Sequence, residues 1–480
     1  MSLSIAISNA MSGLGASSRG TEVVSTNIAN KSVAGYARRE LAVSSSALGG
    51  VTVDGVRRMV SAGLLADDRL AQAASAHSGA IASFHGAIET ALQTEDEVGS
   101  IGSLVTGLGT ALAAATSDPA SDTRLAQVAD AAGTLAKQVN DVAQVIQDAR
   151  TGADKAIAGD VETLNTTLER VAALNRQITV VTARGEDASA LMDSRQAAID
   201  QIAKIVPVQE VARENGRVAL FTTGGTTLLD GSTPARIGFS AASIVTPDMT
   251  LANGALSGLS IDGRSLGAAD MGQFAGGSLA AQFQVRDELA PAYQAQVDAF
   301  AADLYARFAD PAVDPTLAVG EAGLFTDGQG SLQGTLGLAN RVSLSRLADP
   351  SAGGEAWRLR AGLNATAAGS AGDSSLLLRL GTALSENRAP ASAVLSGSAG
   401  NVLNFAANLA SAAASQRVRA ETVSFQDQSH AEGIRTALLA QGVDEDTEMS
   451  TLLALEKAYG ANAKVFQIAN DMLDQILGLR

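Results

Sequence analysis

The chain has 480 residues, enough for roughly three domains at about 150 residues each. Its formal net charge is −16, with 34 Lys and Arg diluted among 50 acids, which argues against a nucleic-acid partner because phosphate binding needs clustered cations. No cysteine is present, excluding disulfides and thiolate metal sites, and an aromatic content of 3% suits long helical bundles better than a compact enzyme core.

The first residues, MSLSIAISNAMSG, lack the basic stretch and unbroken apolar run of a cleavable leader, and no run reaches the roughly 18 apolar residues of a membrane span. On these features alone the chain reads as cytosolic, unless export proceeds without cleavage. Leu3, Ile7, Ala10, Leu14, Ser17, Thr21, Val24 and Ile28 fall at alternating steps of four and three, the spacing of a seam facing a partner helix.

Residues 63 to about 117 hold Leu64, Leu65, Leu70, Ile81, Phe84, Ile88 and Leu92 at helical spacing, with glycines weakening the second half, and Pro119 breaks the chain. From Asp122 to Ala183 a second stretch aligns apolar residues from Leu125 to Ile178, and Gly152 and Gly159 suggest a break partway. A helix with Leu191, Ile199, Ile202 and Ile205 inward follows, ending at Pro207.

Beyond Pro207 the period shortens to two. Two extended runs flank Glu214-Asn215-Gly216, whose Asn-Gly pair suits the positive φ of a tight hairpin. Short strands continue to about residue 270, then helical spacing resumes through Leu279, Phe283, Leu289, Val297, Phe300 and Leu304, with Pro291 kinking or splitting that helix. Residues 310–396, with strand-like RVSLSRL and AWRLRAGL, read as a small β-rich outer domain centred on Trp357.

Helix returns from about 400 to 440, and the acids Asp444, Glu445 and Asp446 open a last helix where they meet the positive end of its dipole. There Met449, Leu452, Tyr459, Ala463, Phe466, Leu473 and Leu477 keep one seam. Ala461, Val465, Ile468, Met472 and Leu479 form a second on another face. A helix apolar on two faces must be covered twice, so the surplus points toward neighbouring molecules.

The expected fold is mainly α with β-rich insertions: terminal helices paired into an elongated rod, a central β-hairpin region and a small β-rich outer domain. Residues 1–40 with 441–480 form a terminal coiled-coil assembly domain. Residues 41–309 with 397–440 form a helical rod domain that includes the β-rich part 206–270, leaving 310–396 as the outer domain.

Catalytic chemistry is thin, and no catalytic, cofactor or metal site is expected. Gly13-Leu14-Gly15 lacks a preceding strand and reads as helix packing. Ser424, Asp427 and His430 contain hydrolytic residue types, yet six residues turn a helix by about 600° and part Ser from His. The consecutive acids Glu95-Asp96-Glu97 fan outward, and Asp327, Gly328 and Gly330 read as a turn short of calcium ligands. His77, His85 and His430 match no ligand pattern.

Ser8-Asn9-Ala10-Met11-Ser12-Gly13-Leu14, then Ser25-Thr26-Asn27-Ile28-Ala29-Asn30 and Gly35-Tyr36-Ala37-Arg38-Arg39, resemble the N-terminal signature of bacterial flagellar rod, hook and hook-associated proteins. Gly442-Val443-Asp444, the run from Leu452 to Val465, Met472-Leu473 and Ile476-Leu477 resemble that group's closing helix. Leu191-Met192-Asp193-Ser194-Arg195-Gln196, Thr226 to Gly231, and Gly276-Gly277-Ser278-Leu279 resemble the interior of its hook-associated junction members.

The resemblance implies a structural, non-enzymatic protein, exported uncleaved through the flagellar type III apparatus and located outside the cell at the junction of hook and filament. Implied partners are copies of itself in a helical ring, the hook protein, a second junction protein or flagellin, and an export chaperone, with no nucleic acid and no membrane. The expected assembly interface comprises Leu3, Ile7, Leu14, Val24, Ile28, Asn30, Tyr36, Leu452, Tyr459, Ala463, Phe466, Met472, Leu473 and Leu477. Competing readings are another axial protein of hook or rod type, an appended hydrolase in 310–396, and a cytosolic signalling rod.

Overall fold

The computed structural model describes residues 3–33, 35–47, 49–93, 99–267, 270–329, 331–390, 392, 394–395 and 399–478. The fold is mostly helical with small antiparallel sheets. Helix α1 (Leu3–Asn30) leads into the hairpin β1 (Arg39–Ser45) and β2 (Val51–Arg58). Then come α2 (Ala62–Leu92), α3 (Ile101–Ser117), the long α4 (Asp122–Ala183) and α5 (Ser189–Ile205). Helices α2, α3 and α4 start on serine caps whose side chains accept from the backbone N–H three residues on, at Leu64, Ser103 and Arg124.

Strands β3 (Val208–Ala212), β4 (Val218–Thr222), β5 (Thr227–Asp230) and β6 (Thr233–Pro234) make one sheet, and β7 (Ile237–Gly238), β8 (Ser260–Ile261) and β9 (Arg264–Ser265) another. The β3–β4 hairpin turns at Asn215 (φ 57°) and Gly216 (φ 73°), the two positive values that an Asn-Gly turn supplies. Next follow α6 (Gly277–Gln284), α7 (Ala290–Phe308), β10 (Phe325–Thr326), β11 (Ser343–Leu344), α8 (Arg358–Ala361), α9 (Ser375–Ser385), α10 (Val402–Ala440) and α11 (Glu445–Gly478). Gly277 has φ +71°, and a Cβ there would lie 2.2 Å from Ile205 O, so only glycine lets α6 start against the end of α5.

Two apolar clusters share α4. Its first half packs Leu125 to Ala153 with α2, α3, α7, α9 and α10; its second half packs Ile157 to Ala172 with α5, α6 and the sheets. The expected break at Gly152 and Gly159 is absent: α4 runs unbroken, because apolar residues on both sides of the glycines are clamped in these two cores.

The seam between the cores is polar. Arg286, fully buried, pairs with buried Asp154 at 2.7 Å and with Asp287 at 2.8 Å, and its guanidinium lies 4.8 Å from the Phe283 ring centroid. The π-helical turn Val285–Leu289 joins α6 to α7. Ala290 N–H donates to Val285 O, and Pro291 has no N–H, so Arg286 O loses its helical donor. Arg150 Nε supplies one at 3.0 Å. The expected single helix is thus divided at Pro291 into α6 and α7, which a π turn joins.

The β-rich outer domain expected over 310–396 is not found among the described residues. Its strands are two residues each, AWRLRAGL contains helix α8, and SLLLRLGTALS is the amphipathic helix α9. Leu338, Val342, Leu359, Leu376, Leu377 and Leu380 join the same core as α4, so the segment buttresses the bundle. Apparent alternation in a short run does not distinguish a strand from one turn of a buried helix. Trp357 is only half-buried, with Arg358 over its ring, and Leu359 takes the core position. Leu70 is also reversed: it is exposed, while Asp68 and Arg69 turn inward.

Candidate assembly interface

Helices α1 and α11 lie side by side and antiparallel. Asn27 meets Glu448, Leu455 packs where Gly20 has no side chain, and Asn462 does the same at Gly13. Each step moves seven residues along both helices, the heptad register of a coiled coil. A Cβ on Gly20 would stand 3.0 Å from Leu455 Cδ1, and one on Gly13 would stand 2.5 Å from Asn462 Nδ2. The buried line of α1 is Ala10, Ser17, Gly20, Val24 and Asn27.

Of the sequence-derived interface residues, Val24 is therefore buried against α11, whereas Leu3, Ile7, Leu14 and Ile28 flank that line and stay half-buried. Asn30 ends α1, its side chain donating to Thr26 O at 2.9 Å. On α11, Leu452, Ala463, Phe466 and Leu473 are half-buried, while Tyr459, Met472 and Leu477 are exposed. Val465 (49% exposed), Ile468 (50%) and Met472 (52%) form a bare apolar strip beside the α1 contact. The register brings Leu3 near Met472, so Ile476 and Leu477 extend past the described part of α1 and are bare as well. Leu479 of the second seam lies outside the described residues.

The β1–β2 hairpin covers another face of α1. Ser12 Oγ donates to Asn9 O at 2.9 Å and accepts from Val51 N–H at 3.1 Å, and the Asn9 side chain sits against Gly49 at the hairpin tip. The Ser8-to-Leu14 motif is thus split between a hairpin anchor, Asn9 and Ser12, and a helix contact, Ala10 and Gly13. This hairpin was absent from the sequence reading; the signal was alternation through Leu41, Val43, Val51 and Val53 around Gly49-Gly50.

An elbow of hydrogen bonds ties the pair to the body. Asn27 Nδ2 donates to Arg39 O at 2.9 Å and to Glu448 Oε2 at 3.1 Å, while Asn27 Oδ1 accepts from Tyr36 OH at 2.7 Å and Arg39 N–H at 2.9 Å. Glu448, 1% exposed, accepts Arg38 Nε at 2.7 Å, which pairs an otherwise costly buried charge. Burial pushes the Tyr36 hydroxyl pKa above its usual value, and the Arg39 guanidinium, 4.9 Å from the ring centroid, opposes that rise.

Asp193 of α5 completes the elbow. It accepts Arg39 Nη2 at 2.8 Å and Arg58 Nε at 2.8 Å, so the chain after α1 and the end of the hairpin are both pinned to one carboxylate. Nearby, Arg195 Nη1 donates to Asn175 Oδ1 at 2.9 Å and Gly216 O at 2.6 Å, and Arg69 holds Asp200 and Glu210, each at 2.7 Å. The motif Leu191 to Gln196 therefore carries the bracket that orients the terminal helices. Arg38, Arg58, Asp193 and Glu448 were missed as site residues because ion pairs between segments far apart in the chain leave no periodic trace in a sequence.

Gly13-Leu14-Gly15 is inside α1; Ser424, Asp427 and His430 share α10, with His430 exposed. Asp327 shapes a turn by accepting from Gln329 N–H and Gln333 N–H. Glu95, Asp96, Glu97 and Gly330 lie outside the described residues. Among those described, no helix is long and apolar enough to cross a membrane.

Residues 86–311 match the family of the flagellar hook-associated protein FlgK helical domain, and residues 435–479 match the C-terminal family of flagellar basal body rod FlgEFG proteins. The chain is 34% identical over 246 residues to flagellar hook-associated protein 1 of Salmonella typhimurium and to that of Salmonella typhi, covering 48% of this chain and 43% of each relative. The protein of that name from Escherichia coli is 30% identical over 245 residues, covering 48% and 44%. The match thus spans less than half the length of these curated relatives. A solved structure of the flagellar hook junction protein FlgK from Burkholderia pseudomallei is similar at a TM-score of 0.42 and 20% identity, over 55% of this chain and 46% of that one. A helical-domain match, a rod-type C-terminal match and relatives that share one name make this chain similar, over about half its length, to flagellar hook-associated protein 1.

Proposed function

We propose that this chain is a structural element of the bacterial flagellum, exported by the type III route and assembled with copies of itself into a short helical segment between hook and filament. The names of its relatives support that setting. The observation that carries the assembly mechanism is the bare strip Val465, Ile468 and Met472 on α11, apolar surface that α1 leaves uncovered. Neighbouring subunits cover it, with the hook protein on one side and a second junction protein or flagellin on the other. A chaperone shields it before export.

The α1–α11 pair is weak by itself. Its buried line is mostly Ala, Ser and Gly, which remove little apolar area from water, and each mid-helix glycine costs about 1 kcal/mol relative to alanine. Helix formation without a partner is unfavourable, so the ends order fully only on assembly.

The test compares Ile468→Asp with Leu473→Asp in a strain lacking the wild-type protein. Ile468→Asp falls on a half-exposed side chain of the bare strip: the isolated chain keeps its main melting transition, yet hook tips carry none of it and filaments fail to attach. Leu473→Asp loosens the α1–α11 pair too, leaving the main melting transition intact. Normal incorporation of Ile468→Asp contradicts the proposal.

A further inference from the structure

We propose that the elbow carries a charge latch in which Arg435 on α10 closes onto Asp68 on α2, setting how the terminal helix pair leaves the helical body. A cavity of about 440 Å³ opens between the end of α1, the start of α2 and the end of α10, and both residues line it. Asp68 is 6% exposed, and its Oδ1 is buried with no hydrogen-bond donor. A buried carboxylate oxygen without a donor has given up its hydration and gained nothing in return, so a cation that reaches it is drawn in.

The other charged groups around the cavity are committed. Lys31 holds Glu445 at 2.5 Å, Arg38 holds Glu448 at 2.7 Å, and Asp200 is held by Arg69 at 2.7 Å. Arg435 is the cation left: it is exposed and forms no ion pair among the described residues. The stretch of α10 that bears it is free to lean, since no residue of α10 after Ala431 is buried. Leu438 and Leu439 stand on the same cavity wall and would close over Val60 as the pair forms. The end of α10 leads through Gln441, Gly442 and Val443 into α11, so the latch tilts the terminal pair toward α2. It does not depend on assembly.

The chain has no cysteine of its own, so a Val60→Cys, Leu438→Cys pair across the cavity reports closure as a disulfide formed under mild oxidant in the isolated full chain. The latch predicts ready cross-linking that slows about tenfold in Arg435→Gln and in Asp68→Asn, with no further loss when both are changed, and is largely kept in Arg435→Lys. Arg435→Gln alters an exposed side chain, so its result decides the matter even where Asp68→Asn affects folding. No cross-link in the parent cysteine pair, or equal rates with and without Arg435, overturns the latch.

Discussion

Asn27 and Glu448 stand 421 positions apart in sequence, and their side chains meet at 3.1 Å in a buried contact that joins the end of the first helix to the start of the last. Both also hold the backbone or side chains of the segment between α1 and the hairpin, so this one contact links the terminal pair to its bracket.

Asn27→Ala should remove four hydrogen bonds and strand Tyr36 OH, Arg39 N–H and part of Glu448. The expected cost is about 2–4 kcal/mol to docking of the terminal pair. Hydrogen exchange resolves it: residues 3–30 lose protection, while the core of α4 does not change.

Two glycines of α1 should respond in opposite directions. Gly15 has nothing within 4 Å of where a Cβ would be, so Gly15→Ala stabilises α1 by about 0.5–1 kcal/mol through helix propensity alone. Gly13→Leu collides with Asn462 and weakens the pair by about 1–3 kcal/mol. Circular dichroism of the isolated chain at increasing denaturant separates the two.

Arg286→Met should destabilise the whole bundle by about 3–5 kcal/mol, because Asp154 is left buried without its partner. Changing Arg286 and Asp154 together to residues of similar volume should recover much of the loss. Urea titrations of the three variants test this, and a single variant as stable as wild type contradicts the role assigned to the polar seam.

His85 is buried beside Tyr293, 2.9 Å from its hydroxyl, and burial lowers its pKa below 6.5. The folded state binds this proton less readily than the unfolded chain does, so its stabilising contribution is present above about pH 6.5 and is lost as the pH falls through the lowered value. His85→Gln should flatten the stability profile between pH 7 and 5. An unchanged slope would assign the acid sensitivity elsewhere.

Legibility followed the physics of each element. The Asn215-Gly216 hairpin and the core face of α4 could be read directly, because a positive-φ pair and a long 3.6-residue repeat have few alternatives. The terminal seam could be read only in part: periodicity weights large side chains, while the contact centres on Gly13 and Gly20, where the absence of a side chain admits the partner. Residues 310–396 were misread because their short helices are held by packing on α4 and α7, which local pattern does not encode. The elbow was invisible for a related reason, since its polar side chains converge from α1, the hairpin, α5 and α11.

Amide exchange over residues 3–30 and 445–478, in the isolated chain and in preparations of hook tips, tests folding on assembly most directly. In the isolated chain both helices are expected to show only weak protection, well below that of the α4 core, rising by about 100-fold or more once neighbours cover Val465, Ile468 and Met472. Full protection of both helices in the isolated chain would contradict it.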